Sequence, residues 1–157
     1  MFLSKFFRTL ASLASLVCVA AALPVPRFRE SKLYPIGHLG DSLAIADFNG
    51  DGVPDIATAN GDDNSVSVLL GVGSGFRSHV DYTLASQAID IQTGDFNRDG
   101  NVDLVIASCY PGALSILLGN GDGTFQPASS HDMSVRPDSI AVGDLNGDGN
   151  PDLAILD

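Results

Sequence analysis

The sequence predicts an all-β chain: a partial β-propeller of about two and a half four-stranded blades, preceded by a secretory signal peptide. Three observations predict it. A unit of 48–49 residues recurs almost three times. Within each unit the apolar residues alternate with the strand period of two. Asp/Gly clusters punctuate the alternating segments, as tight turns between short strands require. Composition agrees, because among 19 acidic residues Glu30 is the single glutamate and 17 glycines accompany the aspartates. Asp and Gly favour turns, whereas Glu favours helices.

The first segment reads as an address. Lys5 and Arg8 precede an apolar run from Leu10 to Leu23, and Ala20, Ala21 and Ala22 suit a peptidase that reads small side chains. Fourteen residues are too few to cross a hydrocarbon core of ~30 Å comfortably as a helix. A signal peptide is therefore expected at residues 1–22, with a secreted or surface-displayed mature chain, 23–157, that has no transmembrane span. Cys109 is then the one remaining thiol, so no intrachain disulfide is available. Loss of Lys5 and Arg8 takes the formal charge from −11 to −13. So acidic a chain excludes nucleic acid as a partner, since phosphate binding needs a basic face.

The repeat carries the fold. Asp47-Phe-Asn-Gly-Asp-Gly-Val-Pro-Asp55, Asp95-Phe-Asn-Arg-Asp-Gly-Asn-Val-Asp103 and Asp144-Leu-Asn-Gly-Asp-Gly-Asn-Pro-Asp152 align, and Phe28, Phe76 and Phe125 each lie 19 residues before the first Asp of a copy. Residues 42–46 form the expected first strand. Residues 55–59, 103–107 and 152–156 form the second, with larger side chains (Ile56, Leu104, Leu153) on one face and smaller ones (Ala57, Val105, Ala154) on the other. A strand apolar on both faces suits a sheet packed between two neighbouring sheets. Residues 65–70 and 113–118 give a third strand, and a fourth is expected to start at Phe76 or Phe125 after a Gly-rich turn. The units are 27–35 (outer strand of a preceding blade), 36–82, 83–133 and a truncated 134–157, eleven strands in all. A sandwich of unrelated hairpins leaves the fixed period unexplained, and a parallel solenoid has a shorter repeat. Closure needs four or more blades. The chain is therefore expected either to be part of a longer one or to close by self-association through its open blade edges.

The loops carry the chemistry. Each reads D-x-N-x-D-G-x-x-D and offers hard oxygen donors at positions 1, 3 and 5: Asp47, Asn49 and Asp51; Asp95, Asn97 and Asp99; Asp144, Asn146 and Asp148. Gly52, Gly100 and Gly149 at position 6 permit a sharp turn; the backbone carbonyls of Val53, Asn101 and Asn150 follow at position 7, and Asp55, Asp103 and Asp152 close the set at position 9. Oxygen-only donors in this number select Ca²⁺ over zinc, copper or Mg²⁺. One Ca²⁺ per loop, three in all, is expected. Two carboxylates ~5 Å apart repel by about 3 kcal/mol at an effective dielectric of 20, so bound cations would relieve a real cost. A helical EF-hand is disfavoured, because position 12 holds Thr58, Ile106 or Ile155 instead of a bidentate Glu.

These loops, the apolar strand after each, and Leu-Leu-Gly-Asn-Gly-Asp-Gly-Thr-Phe at 117–125 resemble the FG-GAP/VCBS repeats of integrin α-subunits and of many secreted bacterial surface proteins. The resemblance implies a seven-bladed propeller with Ca²⁺ between the first two strands of a blade. Fewer than three copies are present here.

No catalytic constellation stands out. His38, His79 and His131 occupy unrelated repeat positions, with His131 aligned to Tyr34 and Tyr82 in a strand. Ser74 lacks a nucleophile-elbow context, and the glycines at 119, 121 and 123 lack the Lys-Ser/Thr of a phosphate loop. Cys109 is placed in an inter-strand turn, as are Asp62 and Asp63. The expectation is a non-enzymatic adhesion or ligand-recognition scaffold with structural Ca²⁺ and an extracellular protein or glycan ligand. The alternative is a lectin-like carbohydrate-binding protein, or the accessory propeller of a secreted carbohydrate-active enzyme.

Overall fold

The computed structural model describes residues 32–38 and 40–157. The signal peptide expected at 1–22 lies outside the described residues, as does most of the outer strand expected at 27–35; residues 32–35 form no strand. The chain divides into two compact units, 1–34 and 35–157. In the described part of the first, Lys32 Nζ lies 4.9 Å over the Tyr34 ring. The second holds the repeats.

Twelve strands and no helix make up the described residues: β1 Gly40–Ala46, β2 Asp55–Asn60, β3 Ser65–Leu69, β4 Gly71–Val72, β5 Gly75–Phe76, β6 Val80–Thr83, β7 Ala88–Gly94, β8 Asp103–Cys109, β9 Gly112–Leu117, β10 Ser129–Asp132, β11 Ser139–Gly143 and β12 Asp152–Leu156. β1-β2-β3-β6 is a four-stranded antiparallel meander, and β7-β8-β9-β10 repeats it. β11-β12 begins a third blade. The first strands β1, β7 and β11 lie against one another in turn, as the inner strands of successive propeller blades do. The all-β partial propeller is thus the observed fold.

The small and large faces of the second strands explain the packing. Ala57, Ala59, Val66 and Val68 of the first blade pack against Ile91, Leu104, Ile106 and Leu117 of the second, all but fully buried. Behind them Val105 and Ala107 of the second blade pack against Ile140, Val142 and Leu153 of the third. Small meets large at each seam, which lets the sheets pack closely.

The fourth strand corrects the sequence reading. Phe76 belongs to the two-residue ladder β4-β5, and Phe125 forms an isolated bridge with Gly119. The fourth strands proper begin at Val80 and Ser129. The reason is visible at Phe125, whose buried ring is drawn into the seam with the preceding blade. Its backbone keeps only a single bridge to Gly119 and the bond from the Gln126 amide to the Leu118 carbonyl, so the regular ladder resumes at Ser129. Cys109 likewise ends β8 instead of lying in the turn, and its thiol faces Gln87 Oε1 at 3.6 Å.

Candidate metal centre

The three Asp loops join the first strand of each blade to its second, so all three hang from the same ends of adjacent hairpins. Their hydrogen bonds are nearly superimposable. The position-1 carboxylate accepts the position-5 amide (Asp51 to Asp47 at 3.2 Å, Asp99 to Asp95 at 3.1 Å, Asp148 to Asp144 at 3.1 Å). It also accepts the position-6 glycine amide at 2.8, 3.0 and 2.9 Å. Position 3 accepts the position-5 amide at 2.9, 2.9 and 2.8 Å, and position 5 accepts the position-7 amide at 2.8 Å in every copy. The chain is thereby curled around the side-chain oxygens of positions 1, 3 and 5, which stand together at the surface.

Backbone conformation explains the glycines. Gly52, Gly100 and Gly149 have φ of 81°, 85° and 82°, where a Cβ is penalised. Position 4 is left-handed as well: Gly50 at 70°, Gly147 at 80° and, in the second copy, Arg98 at 63°. The sequence reading took account of position 6 and overlooked position 4, although two of the three copies have Gly there.

Position 9 is set apart from the rest. Asp55 and Asp103 are fully buried. Asp55 accepts the amides of Phe48 at 2.8 Å and Gly71 at 2.6 Å, and Asp103 accepts those of Phe96 and Gly119, both at 2.8 Å. Asp152 accepts the Leu145 amide at 3.0 Å. This carboxylate ties the loop to its base and, in two blades, to a glycine two residues beyond the third strand. Gly71 and Gly119 are glycines because a Cβ would collide with the carbonyls of Pro54 and Val102.

The electrostatics suit a cation. Asp99 is held below the usual carboxylate range by the Asn101 amide and the Asn97 side chain, Asp148 by the Asn150 amide, and Asp144 by the Gly149 amide. Among the described residues, His38 approaches Asp63 at 3.9 Å and His79 approaches Asp81 at 3.3 Å, and no described lysine or arginine pairs with a loop carboxylate. No three of His, Cys, Asp and Glu among the described residues converge into a cluster by themselves. The loop donors instead mix carboxylate, amide and main-chain oxygen, a set that fits Ca²⁺ and no softer ion. Each carboxylate oxygen that accepts an amide keeps a second lone pair for an ion.

The repeating loop, blade and seam decide the family. The FG-GAP-like repeat matches residues 47–106 and again residues 95–155. The chain belongs to the FG-GAP-like repeat family. Each match opens on the first aspartate of a loop and runs into the second strand of the next blade, so one FG-GAP-like repeat spans a seam. No curated protein matches the chain.

The FG-GAP-like seams carry two contacts that the sequence reading missed. Asp90, buried on β7, accepts hydrogen bonds from Ser42 Oγ of the first blade, from Ser139 Oγ and the Ile140 amide of the third, and from the Ile91 amide. The signal was present, because Ser42, Asp90 and Ser139 occupy one repeat position. Phe125 stands edge-on to Phe48 and Tyr82, with centroids 5.4 and 5.6 Å apart; its amide donates to Tyr82 Oη at 3.0 Å, and the Gly123 amide donates to the Phe48 carbonyl at 3.0 Å. Phe48 is position 2 of the first loop, so this loop is directly attached to the next blade. His131 lies in β10 as expected, and residues 61–64 form a turn in which Asp63 accepts the His38 amide at 2.6 Å.

Proposed function

We propose that this chain is a secreted or surface Ca²⁺-binding propeller-repeat protein that serves as an adhesion or ligand-recognition scaffold. One observation carries the reading: three loops with the same donors fold through the same hydrogen bonds on the same end of three blades. The side chains at positions 1, 3 and 5, with the position-7 carbonyl, would hold the ion, and position 9 would contribute its remaining lone pairs. A bound Ca²⁺ supplies charge neutralisation and rigidity. The residues do the rest: Phe48 relays the order of the first loop into the seam, and Asp55 relays it to the end of the third strand. Rigid loops at one rim hold the blades in fixed relation, which a recognition surface needs. The ligand is an extracellular protein or glycan.

Calorimetric titration of the metal-stripped protein with Ca²⁺ tests the reading. Three sites with dissociation constants of about 10⁻⁴–10⁻³ M are expected, as in extracellular modules. Absence of binding heat and of any rise in melting temperature at 10 mM Ca²⁺ would refute it.

A further inference from the structure

We propose that Asn49, at position 3 of the first loop, is a site of covalent self-modification: its side chain closes onto the Gly50 amide nitrogen, loses ammonia and opens in water to aspartate or isoaspartate. Asn-Gly pairs occur at 49–50, 60–61, 120–121 and 146–147, and the first and last are positions 3 and 4 of a loop. Glycine after asparagine leaves the attacking nitrogen uncrowded and its backbone free to turn. The second loop has Asn97 followed by Arg98 at the same positions, which gives the molecule its own control. The two sites are otherwise alike. The Asp51 amide donates to Asn49 Oδ1 at 2.9 Å, and the Asp99 amide donates to Asn97 Oδ1 at 2.9 Å. Nδ2 donates to the position-5 carboxylate at 3.0 and 2.8 Å. Position 4 is left-handed in both, with φ of 70° at Gly50 and 63° at Arg98. Among the described residues neither position-4 amide has a hydrogen-bond acceptor, and the space beside Gly50 is open. The difference between the two sites is the side chain of Arg98.

The loop also assists the step. The Asp51 amide on Asn49 Oδ1 lies where negative charge develops as a nucleophile adds to Cγ, so it polarises the carbonyl under attack. The Gly50 nitrogen bonds to Asn49 Cγ, the Cγ–Nδ2 bond breaks, and Nδ2 leaves as ammonia with the proton of the Gly50 amide. A succinimide ring remains. Water adds to either ring carbonyl: at Cγ it gives aspartate on the original main chain, and at the main-chain carbon it gives isoaspartate, with the chain rerouted through Cβ and Cγ. No electrons are exchanged. Contacts hold two other pairs back. Asn60 is fully buried, accepts from Thr58 Oγ1 and donates to Ser65 and Ser67. The Gly147 amide donates to Asp144 Oδ1 at 2.7 Å, which occupies the nitrogen that would attack Asn146. On the reading of the loops as Ca²⁺ sites, the aspartate product adds a carboxylate to the first donor set, and the isoaspartate product lengthens that loop by a main-chain carbon. One site then changes with the age of the chain.

The experiment is peptide mapping by mass spectrometry of the full chain held in EGTA at pH 7 and 37 °C, so that the modification is read apart from Ca²⁺ binding. Asn49 is expected to convert at least about tenfold faster than Asn97, a barrier difference of about 1.4 kcal/mol, with aspartate and isoaspartate both appearing. Exchanging position 4 between the copies should exchange the rates: Gly50→Arg slows Asn49 to the rate of Asn97, and Arg98→Gly raises Asn97 to that of Asn49. The second copy already carries arginine at this left-handed position, so the loop accommodates it. Buried Asn60 reports on the fold within every sample, and rates are compared over the period in which it stays intact. Where Gly50→Arg exposes Asn60, Arg98→Gly alone decides. The proposal is overturned by equal rates at Asn49 and Asn97 in wild type, by an Asn49 that lasts as long as Asn60, or by an Arg98→Gly chain in which Asn97 converts no faster. None of these results bears on Ca²⁺ affinity, which the calorimetric titration reads separately.

Discussion

Ser42 Oγ donates a 2.7 Å hydrogen bond to Asp90 Oδ1 across the first seam, and the two residues are the same repeat position one blade apart. Ser139, one blade further, donates to the other carboxylate oxygen at 2.8 Å, and the Ile140 amide joins it at 2.9 Å. One side chain therefore fastens three blades near their inner strands. A carboxylate is the group that can do this, because it accepts on both oxygens and donates on neither. Seam apolar packing is non-directional; this contact sets the angular register.

Replacing Asp90 by Asn turns one acceptor into a donor facing an amide or hydroxyl donor. A loss of about 2–3 kcal/mol is expected in urea unfolding at pH 7, from hydrogen bonds to a charged acceptor. The pH dependence has a definite sign. Burial raises the Asp90 pKa, but the Ile140 amide, Ser42, Ser139 and the Ile91 amide outweigh it, and the net shift is downward. A depressed folded pKa stabilises above the unfolded value of about 3.9 and the benefit disappears as pH falls through the folded value. The gap between wild type and Asp90→Asn should be constant above about pH 5 and shrink below about pH 4.

Asp55 and Asp51 belong to one loop and are expected to fail differently. Asp55 is buried with two amides on its carboxylate, so Asp55→Asn leaves a donor against a donor and costs about 2–4 kcal/mol in EGTA. Asp51 is exposed and bonded within the loop, so Asp51→Asn leaves the melting temperature in EGTA within about 2 °C of wild type. The same change should remove one site from a Ca²⁺ titration. Differential scanning calorimetry with and without Ca²⁺ reads both effects. Equal losses in EGTA would contradict this division of labour.

The strands and loops were legible because both are periodic. Alternation at 42–46, 55–59 and 103–107 fixes faces before any contact is known, and a loop repeated in register cannot be mistaken for a chance Asx turn. What was not legible depends on a neighbour. Asp90 looks like any other aspartate until its equivalents Ser42 and Ser139 are placed on adjacent inner strands. Position 9 looks like one more ligand until the Gly71 and Gly119 amides arrive from the far end of the third strand. Phe125 reads as a strand start because it is aromatic and follows a turn; the Phe48–Tyr82 recess that claims it is formed by the preceding blade.

That recess gives a third prediction. Phe125→Ala removes a buried ring and its edge-on contacts with Phe48 and Tyr82, at a cost of about 3–5 kcal/mol. Tyr82→Phe keeps the ring and strips the acceptor from the Phe125 amide, costing about 1–2 kcal/mol. Because the Gly123 amide and Phe48 carbonyl tie the same turn to the first loop, Phe125→Ala should also weaken Ca²⁺ binding there while leaving the third loop unaffected. Titration separates the sites when two loops are silenced at a time: Asp99→Asn with Asp148→Asn leaves the first loop to be read, and Asp51→Asn with Asp99→Asn leaves the third.

Arg98 offers the opposite case, a residue whose replacement should stabilise. It occupies position 4 of the second loop at φ 63°, where the other two copies place Gly50 and Gly147. A left-handed conformation costs an ordinary L-residue about 1–2 kcal/mol, and glycine escapes it at an entropic cost of about 0.5–1 kcal/mol in the unfolded chain. The balance favours glycine by roughly 0.5–1 kcal/mol, or a melting temperature about 1–4 °C higher for a chain of this size. Arg98 also brings positive charge to an acidic loop, and its removal works against the gain at low salt. Measured in 0.5 M NaCl, where screening acts within about 4–5 Å, the backbone term dominates and Arg98→Gly should melt higher than wild type. A lower melting temperature there would mean that the guanidinium stabilises the loop by more than its strained backbone costs.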